Sequence, residues 1–433
     1  METIRTTDLA GHLGERVRLH GWLHQTRRMG GVNFVLLRDG YGIAQAVAAD
    51  PAALAPLQGL GVETVIALEG RVVAEAQARG GVELHDPVVQ VITPVAEALP
   101  FPINKPALTT TLDTFLDHAP LGLRHPAKRA LFRVQAGIMA AFRATLDAAG
   151  FTEIQSPKLL AAASESGAGV FPVDYFGRRA FLAQSPQFYK QLMVGVFERV
   201  YEVGPVFRAE AHHTSRHVNE YVSLDAEMGF ITDHTTVMAL LTVVLRGIMA
   251  HLGDQHASDL TLLGVTLPAV PEPIPQITFQ AAQTLIWQQT GEDCRGEPDL
   301  APAHERTLGA WAAATHGSDF LFVTGYPMSK RPFYTQPNPA DPAYSNSFDL
   351  LLRGTELVTG GQRLHRYSDY LAALAQAGLA PEPFAGYLAA MLYGMPPHGG
   401  FAIGLERFVQ QLAGLSNIRE ATLFPRDGAR LAP

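Results

Sequence analysis

The sequence predicts an α+β protein, with a small N-terminal β-barrel followed by a larger domain that combines helices with a mostly antiparallel sheet. Two observations predict this. Short segments that are apolar, or that alternate apolar and polar residues, fill the first part of the chain, whereas helical spacing of apolar residues begins only at Lys128. The chain also has 433 residues, 47% of them hydrophobic, which is too many for one ordinary core and indicates two or three domains.

The barrel prediction rests on five short segments, several of which are separated by glycine or Asp-Gly. They are residues 16–24, 32–38, 42–48, 64–73 and 82–93. Five strands favour an oligonucleotide-binding (OB) barrel, although strand spacing alone is also compatible with other small barrels. We assign residues 1–97 to this domain.

A change of composition marks the boundary between the two domains. Residues 98–113 carry three prolines and three threonines, which predicts an interdomain hinge, and we take 98–122 as the linker. The second domain, 123–433, begins with a helix that runs from Lys128 towards a stop at Gly150. Further strands are predicted at 179–183, 199–208, 221–230, 319–325, 346–352 and 401–405, and helices at 234–252 and 405–413. Residues 253–315 carry no clear signal.

Composition excludes several classes of protein. The formal net charge of −8 excludes a general nucleic-acid binder, so any contact with RNA must come from local basic patches. The single cysteine, Cys294, excludes an internal disulfide framework and a cysteine zinc site. No uninterrupted apolar run is long enough to span a bilayer, and the first residues are charged where a signal peptide is apolar. We therefore expect a cytoplasmic protein without a membrane partner.

Two distant segments suggest a site for a polyanion. Phe207-Arg208-Ala209-Glu210 ends one predicted strand, a loop rich in histidine and arginine follows, and the next strand ends in Asp225-Ala226-Glu227. Nearly two hundred residues later, Gly404-Leu405-Glu406-Arg407 opens a helix. Guanidinium groups suit phosphates, and carboxylates hold the hard cation that accompanies a triphosphate. Taken singly, each motif is equally a surface ion pair, and the spacing of the loop histidines fits no common zinc site.

Two further motifs could belong to the same site. Asp349 and Glu356 lie seven residues apart around a predicted hairpin, either as Mg²⁺ ligands or as two solvated acids. The segment 184–190, QSPQFYK, predicts a helix start in which Ser185 caps the helix and Pro186 takes the first helical position.

The first two segments, in this order, resemble motifs two and three of the class II aminoacyl-tRNA synthetases, and the whole chain resembles an aspartyl-tRNA synthetase of the archaeal type. The resemblance implies ATP and Mg²⁺, and it implies a homodimer because residues 150–157 resemble motif one. It places Arg208 on the α-phosphate and the amino acid carboxylate, Glu210 on the adenine amino group and Tyr221 under the adenine ring. The remaining ATP-site residues are Arg216, His217 and Arg407, and the implied metal ligands are Asp349 and Glu356.

The resemblance also implies a pocket for aspartate. QSPQ followed by a lysine is similar to the aspartate pocket of the family, in which Gln187, Lys190 and Arg363 contact the amino acid. Two fixed cations discriminate against the neutral amide of asparagine, because asparagine would leave them unpaired. Asparaginyl relatives usually show SGQ and lack this lysine. Glu165, in a segment that resembles the mobile loop over the amino acid, would reach the ammonium group.

On the barrel, the segment 27–47 resembles the anticodon-binding surface of the family. Arg27, Arg28, Phe34 and Gln45 would face the anticodon, with Phe34 stacked on a base and Gln45 near the central uridine. The archaeal pattern commonly has tryptophan where this chain has His24 and lysine where it has Pro87. These positions approach the third anticodon base, so the departure resembles nondiscriminating enzymes, which charge tRNA(Asp) and also supply Asp-tRNA(Asn) to an amidotransferase.

Four alternatives to this interpretation exist. A discriminating aspartyl enzyme would charge tRNA(Asp) alone. An asparaginyl enzyme is disfavoured by Lys190, and a catalytically inactive RNA-binding relative is disfavoured by the intact set of arginines and acids. ATP-dependent enzymes that amidate aspartate lack the barrel.

Overall fold

A computed structural model describes residues 2–29, 31–161, 169–210 and 214–432, and divides the chain into two compact units, Met1–Pro126 and Ala127–Pro433. The described strands of the first unit are β1 (Arg16–Met29), β2 (Val32–Arg38), β3 (Ile43–Ala48), β4 (Val65–Ala74) and β5 (Val82–Thr93). They close into a barrel in the order β1-β2-β3-β5-β4, which confirms the predicted five-stranded barrel.

Alternating side chains fill the barrel. Val35, Leu37 and Ala46 point inwards, together with Leu19, Leu68 and Leu84 of the other strands. β1 runs five residues beyond the predicted segment because a bulge between Leu23 and Gln25 shifts its register and breaks the apolar alternation on which the prediction relied.

The residues after β5 pack more tightly than a flexible hinge would. They contain α1 (Leu112–Asp117) and α2 (Ala119–Gly122). Phe101, Ile103, Phe115 and Leu116 are buried against one another in a small apolar cluster of the first unit.

The second unit is built on a large sheet. Its described strands are β6 (Thr152–Glu153), β7 (Leu159–Leu160), β8 (Pro172–Tyr175), β9 (Arg178–Leu182), β10 (Arg199–Phe207), β11 (Glu220–Gly229), β12 (Gln276–Thr278), β13 (Phe320–Thr324), β14 (Ser347–Leu352), β15 (Thr355–Gln362) and β16 (His398–Gly404). Within the described residues, eight of them form the order β12-β13-β14-β15-β16-β11-β10-β6. The sheet is antiparallel except at its two edges, where β12–β13 and β6–β10 pair in parallel, so the α+β prediction is confirmed.

The helices of this unit are α3 (Pro126–Ala148), α4 (Gln187–Phe197), α5 (His234–Gln255), α6 (Ala257–Leu263), α7 (Phe279–Thr290), α8 (Pro302–His316), α9 (Tyr367–Gln376), α10 (Ala385–Leu392) and α11 (Leu405–Ala413). α3 and α5 bury apolar side chains against one face of the sheet. On β11, Leu224, Ala226 and Met228 belong to this core, which leaves the alternate positions free to carry polar groups on the opposite face.

By length and composition, α5 is apolar enough to cross a membrane, although polar residues interrupt its apolar runs, and eight of its side chains are buried in the core of the unit. One detail of the sequence analysis is wrong. Pro186 is the residue before α4 and not its first helical residue, and the Ser185 hydroxyl accepts from Gln187 N at 3.2 Å.

Candidate active site

A cleft opens on the polar face of the sheet, where β10, β11, β15 and the start of α11 meet. Among the predicted site residues, those that line the cleft are Gln187, Arg208, Glu210, Arg216, His217, Tyr221, Glu356 and Arg407. The structure therefore brings together residues that lie up to 220 positions apart in the chain.

The β10–β11 hairpin places Arg208 beside Tyr221. Arg208 follows the last residue of β10, and its backbone N–H donates to Asn219 O at 2.9 Å. Its guanidinium carbon lies 5.6 Å from the centroid of the Tyr221 ring, within the range of a cation–π contact. A cation and an aromatic face thus lie side by side at one wall of the cleft.

The loop between these strands carries the other predicted phosphate contacts. His217 Nδ1 lies 2.5 Å from Thr214 Oγ1, and the same hydroxyl accepts from Arg216 N at 3.2 Å. His212 and His213 lie outside the described residues. Within the part of the chain that the structure describes, no group of three or more His, Cys, Asp or Glu side chains is arranged to hold a metal ion.

The Gly404–Arg407 segment forms hydrogen bonds to both β11 and β15. β16 ends at Gly404 and α11 begins at the next residue, as predicted. Both carboxylate oxygens of Glu406 accept from Val222 N at 3.1 Å, and burial raises the pKa of Glu406 to about 7. Arg407 Nη1 donates to Glu356 O at 3.1 Å and lies 3.7 Å from Glu356 Oε1.

The two predicted metal ligands lie on neighbouring strands of one hairpin. Its two turn residues, Arg353 and Gly354, have positive φ values of 50° and 73°, as tight two-residue hairpin turns require. Thr359 lies opposite Asp349 in the strand pairing, and its hydroxyl donates to Glu356 Oε1 at 3.2 Å.

Asp349 is fully buried and already has a cationic partner. Arg331 Nη2 donates to Asp349 Oδ1 at 3.0 Å. Burial raises the pKa of Asp349 to about 6 against the opposing charge of Arg331, and the neighbouring Glu356 adds to the rise. Two adjacent carboxylates fit Mg²⁺, which proteins commonly hold through one or two carboxylates while substrate phosphates and water complete the shell.

Lys190 and Arg363 meet beneath the floor of the cleft. The fully buried Lys190 Nζ lies 2.9 Å from Asp225 Oδ1 and 3.4 Å from Glu227 Oε2. Arg363 Nε donates to Glu227 Oε1 at 3.0 Å, so Glu227 joins the two cations. Burial alone would raise the pKa of Glu227, but Arg363 and Lys190 outweigh it and lower that pKa. We call these four residues the charge cluster.

The charge cluster reaches the cleft through Asp225. Of its four members, neither Lys190 nor Arg363 lines the cleft in the described structure, whereas Asp225 does. Gln187, which also lines the cleft, has a buried Nε2 without a hydrogen-bond partner among the described residues, and so offers a donor to a bound molecule. Glu165 lies outside the described residues.

On the barrel, three of the predicted RNA-contacting residues share one face. Arg27 pairs with Phe34 across β1 and β2, and Gln45 lies on the same face of β3, because the intervening Val35 and Ala46 point into the core. Gln45 Nε2 donates to Glu83 Oε2 at 2.9 Å. Arg28 is exposed at the neighbouring position of β1.

His24 and Pro87 are both buried. The His24 ring is 8% exposed, and burial together with Arg38 lowers its pKa to about 4. Neither position projects a side chain from the surface of the barrel.

Sequence reasoning missed several residues of the site. Asp225 and Glu227 were interpreted only as acids that could hold a cation, although they continue the alternation that starts at Tyr221 and so share its face. Glu406 was noted only as the neighbour of Arg407. No local signal marks Arg331, which reaches Asp349 from the segment before β14.

Comparisons with known proteins agree with this architecture. A family model described as tRNA synthetases class II (D, K and N) matches residues 111–428, and one described as an OB-fold nucleic acid binding domain matches residues 17–92. An aspartate–tRNA(Asp/Asn) ligase of Thermus thermophilus is 47% identical and covers 98% of this chain and 99% of its own. One of Deinococcus radiodurans is 46% identical over 99% of this chain and 98% of its own.

A solved structure is similar over the same length. The asparaginyl-tRNA synthetase of Pyrococcus horikoshii, in complex with asparaginyl-adenylate, superposes with a TM-score of 0.90 at 32% identity and covers 98% of this chain and 97% of its own. The fold is therefore shared by enzymes for aspartate and for asparagine, so the choice of amino acid must depend on individual side chains.

Proposed function

The chain belongs to the class II tRNA synthetases (D, K and N), and on this premise we propose that it attaches L-aspartate to tRNA(Asp) and also to tRNA(Asn). The reaction has two steps, with an aspartyl-adenylate between them. The relatives from Thermus thermophilus and Deinococcus radiodurans, both named for tRNA(Asp/Asn), support the double specificity.

One observation carries the proposal: a single cleft is lined by Arg208, Tyr221, Glu356 and Arg407, with the charge cluster beneath it. Two guanidinium groups and an aromatic ring in one cleft suit a nucleoside triphosphate, because phosphates accept from the arginines and a base stacks on the ring. Glu210 of the same wall accepts from the adenine amino group, and Arg216 and His217 contact the terminal phosphates.

In the first step, an aspartate α-carboxylate oxygen attacks the α-phosphorus of ATP, and pyrophosphate leaves. Arg208 holds that carboxylate and the α-phosphate together and stabilises the charge that develops on the phosphoryl oxygens. Arg407 holds the far phosphates. No side chain is needed as a general base, because the attacking carboxylate is already ionised at neutral pH.

Asp349 and Glu356 are the residues that would hold Mg²⁺. When bound, the ion would supply positive charge that offsets the negative charge of the triphosphate. Arg331 holds one oxygen of Asp349, and Thr359 and Arg407 fix Glu356, so both carboxylates are oriented before ATP arrives.

The charge cluster selects aspartate. The substrate side-chain carboxylate binds Lys190 and Arg363, its ammonium group faces Asp225, and Gln187 and Glu165 complete the pocket. Asparagine is neutral, so it would gain no charge-assisted hydrogen bonds from Lys190 and Arg363, and this difference favours aspartate.

In the second step, the 3′-hydroxyl of the terminal tRNA ribose attacks the acyl carbon, and AMP leaves. Residues 1–97 bind the anticodon, and residues 98–122 connect them to the catalytic domain, 123–433. Phe34 stacks on an anticodon base, with Arg27 and Arg28 on the phosphates. Because Glu83 engages Gln45 Nε2, the oxygen of this amide is left to accept from the N3–H of a uridine.

The burial of His24 and Pro87 supports acceptance of both tRNAs. Because both positions are buried, the barrel presents no exposed side chain from them that could exclude either third anticodon base. Aspartate on tRNA(Asn) then requires an amidotransferase that converts it to asparagine. We propose a homodimer that acts in the cytoplasm.

The direct test is to charge radiolabelled aspartate onto transcripts of tRNA(Asp) and tRNA(Asn) side by side, with asparagine as the competing amino acid. Aspartate on both transcripts supports the proposal. Aspartate on tRNA(Asp) alone would restrict the function to a discriminating enzyme, and asparagine on tRNA(Asn) would contradict the assigned pocket.

A further inference from the structure

The helix α8 lies directly on the hairpin that carries the two proposed metal ligands, although its sequence segment gave no functional signal. Gly309 of α8 and Gly354 of the turn touch backbone to backbone, since a Cβ on Gly309 would clash with Gly354 N and Cα. A Cβ on Gly354 would in turn lie 2.8 Å from Arg306 Cα. The first turns of α8 are therefore held against the start of β15.

From this position, one side chain of α8 reaches a proposed metal ligand. Glu305 Oε2 accepts from Glu356 N at 3.1 Å. On the other side of the same residue, Arg407 Nη1 donates to Glu356 O at 3.1 Å. Both backbone polar groups of Glu356 are thus satisfied by side chains from outside the sheet.

The reason lies in the irregular end of β15. Its pairing with β14 is shifted between Leu350 and Leu351, and its pairing with β16 begins only at Val358. At Glu356 there is no neighbouring β16 residue in the pairing to receive the backbone groups, and a buried N–H without an acceptor would be costly. Glu305 supplies that acceptor.

We propose that Glu305 is a positioning residue for nucleotide activation: by accepting from Glu356 N, it fixes the end of β15 so that Glu356 faces the metal and Arg407 faces the phosphates. The inference rests on the proposed function, since it takes Mg²⁺ and ATP as the ligands of the cleft. It also gives residues 302–316 a role within the catalytic domain.

Three substitutions at Glu305 distinguish the effect of its side-chain length from the effect of its charge. Glu305→Gln keeps the length of the side chain and an acceptor oxygen but removes the charge. Glu305→Asp keeps the charge but is one methylene shorter, and Glu305→Ala removes both. Thr307→Ala is the matched control, because it alters the same helix at a hydroxyl that donates only to Ala303 O among the described contacts.

The measurement is the affinity of the full-length protein for Mg·ATP without aspartate, by calorimetry, together with the KM values for ATP and for aspartate in pyrophosphate exchange. We expect Glu305→Gln and Thr307→Ala to bind Mg·ATP within about threefold of the wild type. Glu305→Asp and Glu305→Ala should bind about tenfold more weakly or worse, as expected when a buried donor loses its acceptor. The KM for aspartate should stay unchanged, which a general loss of structure would not allow.

Two results would overturn the proposal. One is wild-type binding of Mg·ATP by both Glu305→Asp and Glu305→Ala. The other is a Glu305→Gln variant as weak as Glu305→Ala, because the carboxylate would then act by its charge. If the wild type binds Mg·ATP but shows no aspartate-dependent exchange, the proposed function alone is contradicted. If the wild type shows normal exchange and the Glu305 variants bind Mg·ATP as the wild type does, the role of Glu305 alone is contradicted. No Mg·ATP binding by the wild type would overturn both.

Discussion

Replacement of Lys190 by methionine removes one of the two cations of the charge cluster and keeps most of the side-chain volume. Lys190 Nζ is fully buried, 2.9 Å from Asp225 Oδ1 and 3.4 Å from Glu227 Oε2. The variant leaves both buried carboxylates facing Arg363 alone, so the net charge of the cluster falls from 0 to −1. Aspartate, whose side chain is also negative, then meets a repulsive pocket.

The expected magnitude follows from the burial of these groups. Truncation of one partner of a buried, hydrogen-bonded charge pair costs about 2–5 kcal/mol of binding free energy. Because about 1.4 kcal/mol corresponds to a factor of ten, we expect kcat/KM for aspartate to fall at least about 30-fold. Asparagine carries no side-chain charge, so its kcat/KM should fall much less and the preference for aspartate should narrow.

The assay is amino-acid-dependent pyrophosphate exchange with aspartate and asparagine titrated separately. Lys158→Met is the matched control, because Lys158 Nζ also pairs with a buried carboxylate, Glu202 Oε1, at 2.5 Å but belongs to no part of the charge cluster. Adding Asp225→Asn to Lys190→Met returns the net charge to 0, and this double variant should regain stability without regaining the selectivity for aspartate. A loss of aspartate activity no larger in Lys190→Met than in Lys158→Met would refute the reasoning.

Three further predictions test other parts of the molecule. Arg208→Ala should lower pyrophosphate exchange about 1,000-fold, as loss of a donor to developing charge does, and near-normal exchange would remove Arg208 from the reaction. Phe34→Ala should weaken kcat/KM for tRNA roughly 5- to 150-fold while pyrophosphate exchange stays within twofold; a parallel fall of both would show that the barrel is not a separate anticodon module. Burial raises the pKa of Glu406 from 4.5 to about 7, so its stabilising contribution is complete below about pH 4.5 and is lost as the pH rises to about 7. The Glu406→Gln variant still accepts from Val222 N. In urea unfolding, its free energy of unfolding relative to the wild type should be roughly 3 kcal/mol higher at pH 8 than at pH 4.5. An equal difference between variant and wild type at both pH values would contradict the pKa shift.

The parts of the fold that the sequence predicted are those encoded by local patterns. β10, β11 and the strand-to-helix junction at Gly404 were predicted closely, because period-two alternation and a glycine boundary are visible within a few residues. The barrel strands were predicted for the same reason. The family resemblance is confirmed by the family-model match, and the predicted phosphate-facing residues do line one cleft.

The remaining features depend on contacts between distant segments. Nothing near Lys190 indicates that Glu227, which lies 37 residues later, joins it to Arg363. α7 and α8 escaped prediction because they bury small residues such as Ala282 and Ala312 against the outer part of the sheet, where helical periodicity is weak. β15 was recognised only as one arm of a hairpin, because Gly360 and Gly361 are poor strand formers. Glycine is required at these positions because a Cβ there would clash with Phe348 and Ser347.

The apolar character of α5 has a consequence for the order in which the protein can be made. The side chains of α5 are buried against Val358 of β15 and against Phe401 and Ile403 of β16, and β16 is translated about 150 residues after the helix ends. At ribosomal speeds of about 5–20 residues per second, β16 is completed roughly 7–30 s after the helix. During synthesis the nascent catalytic domain therefore exposes a long apolar helix, and exposed apolar surface of this kind favours aggregation until the last strand emerges.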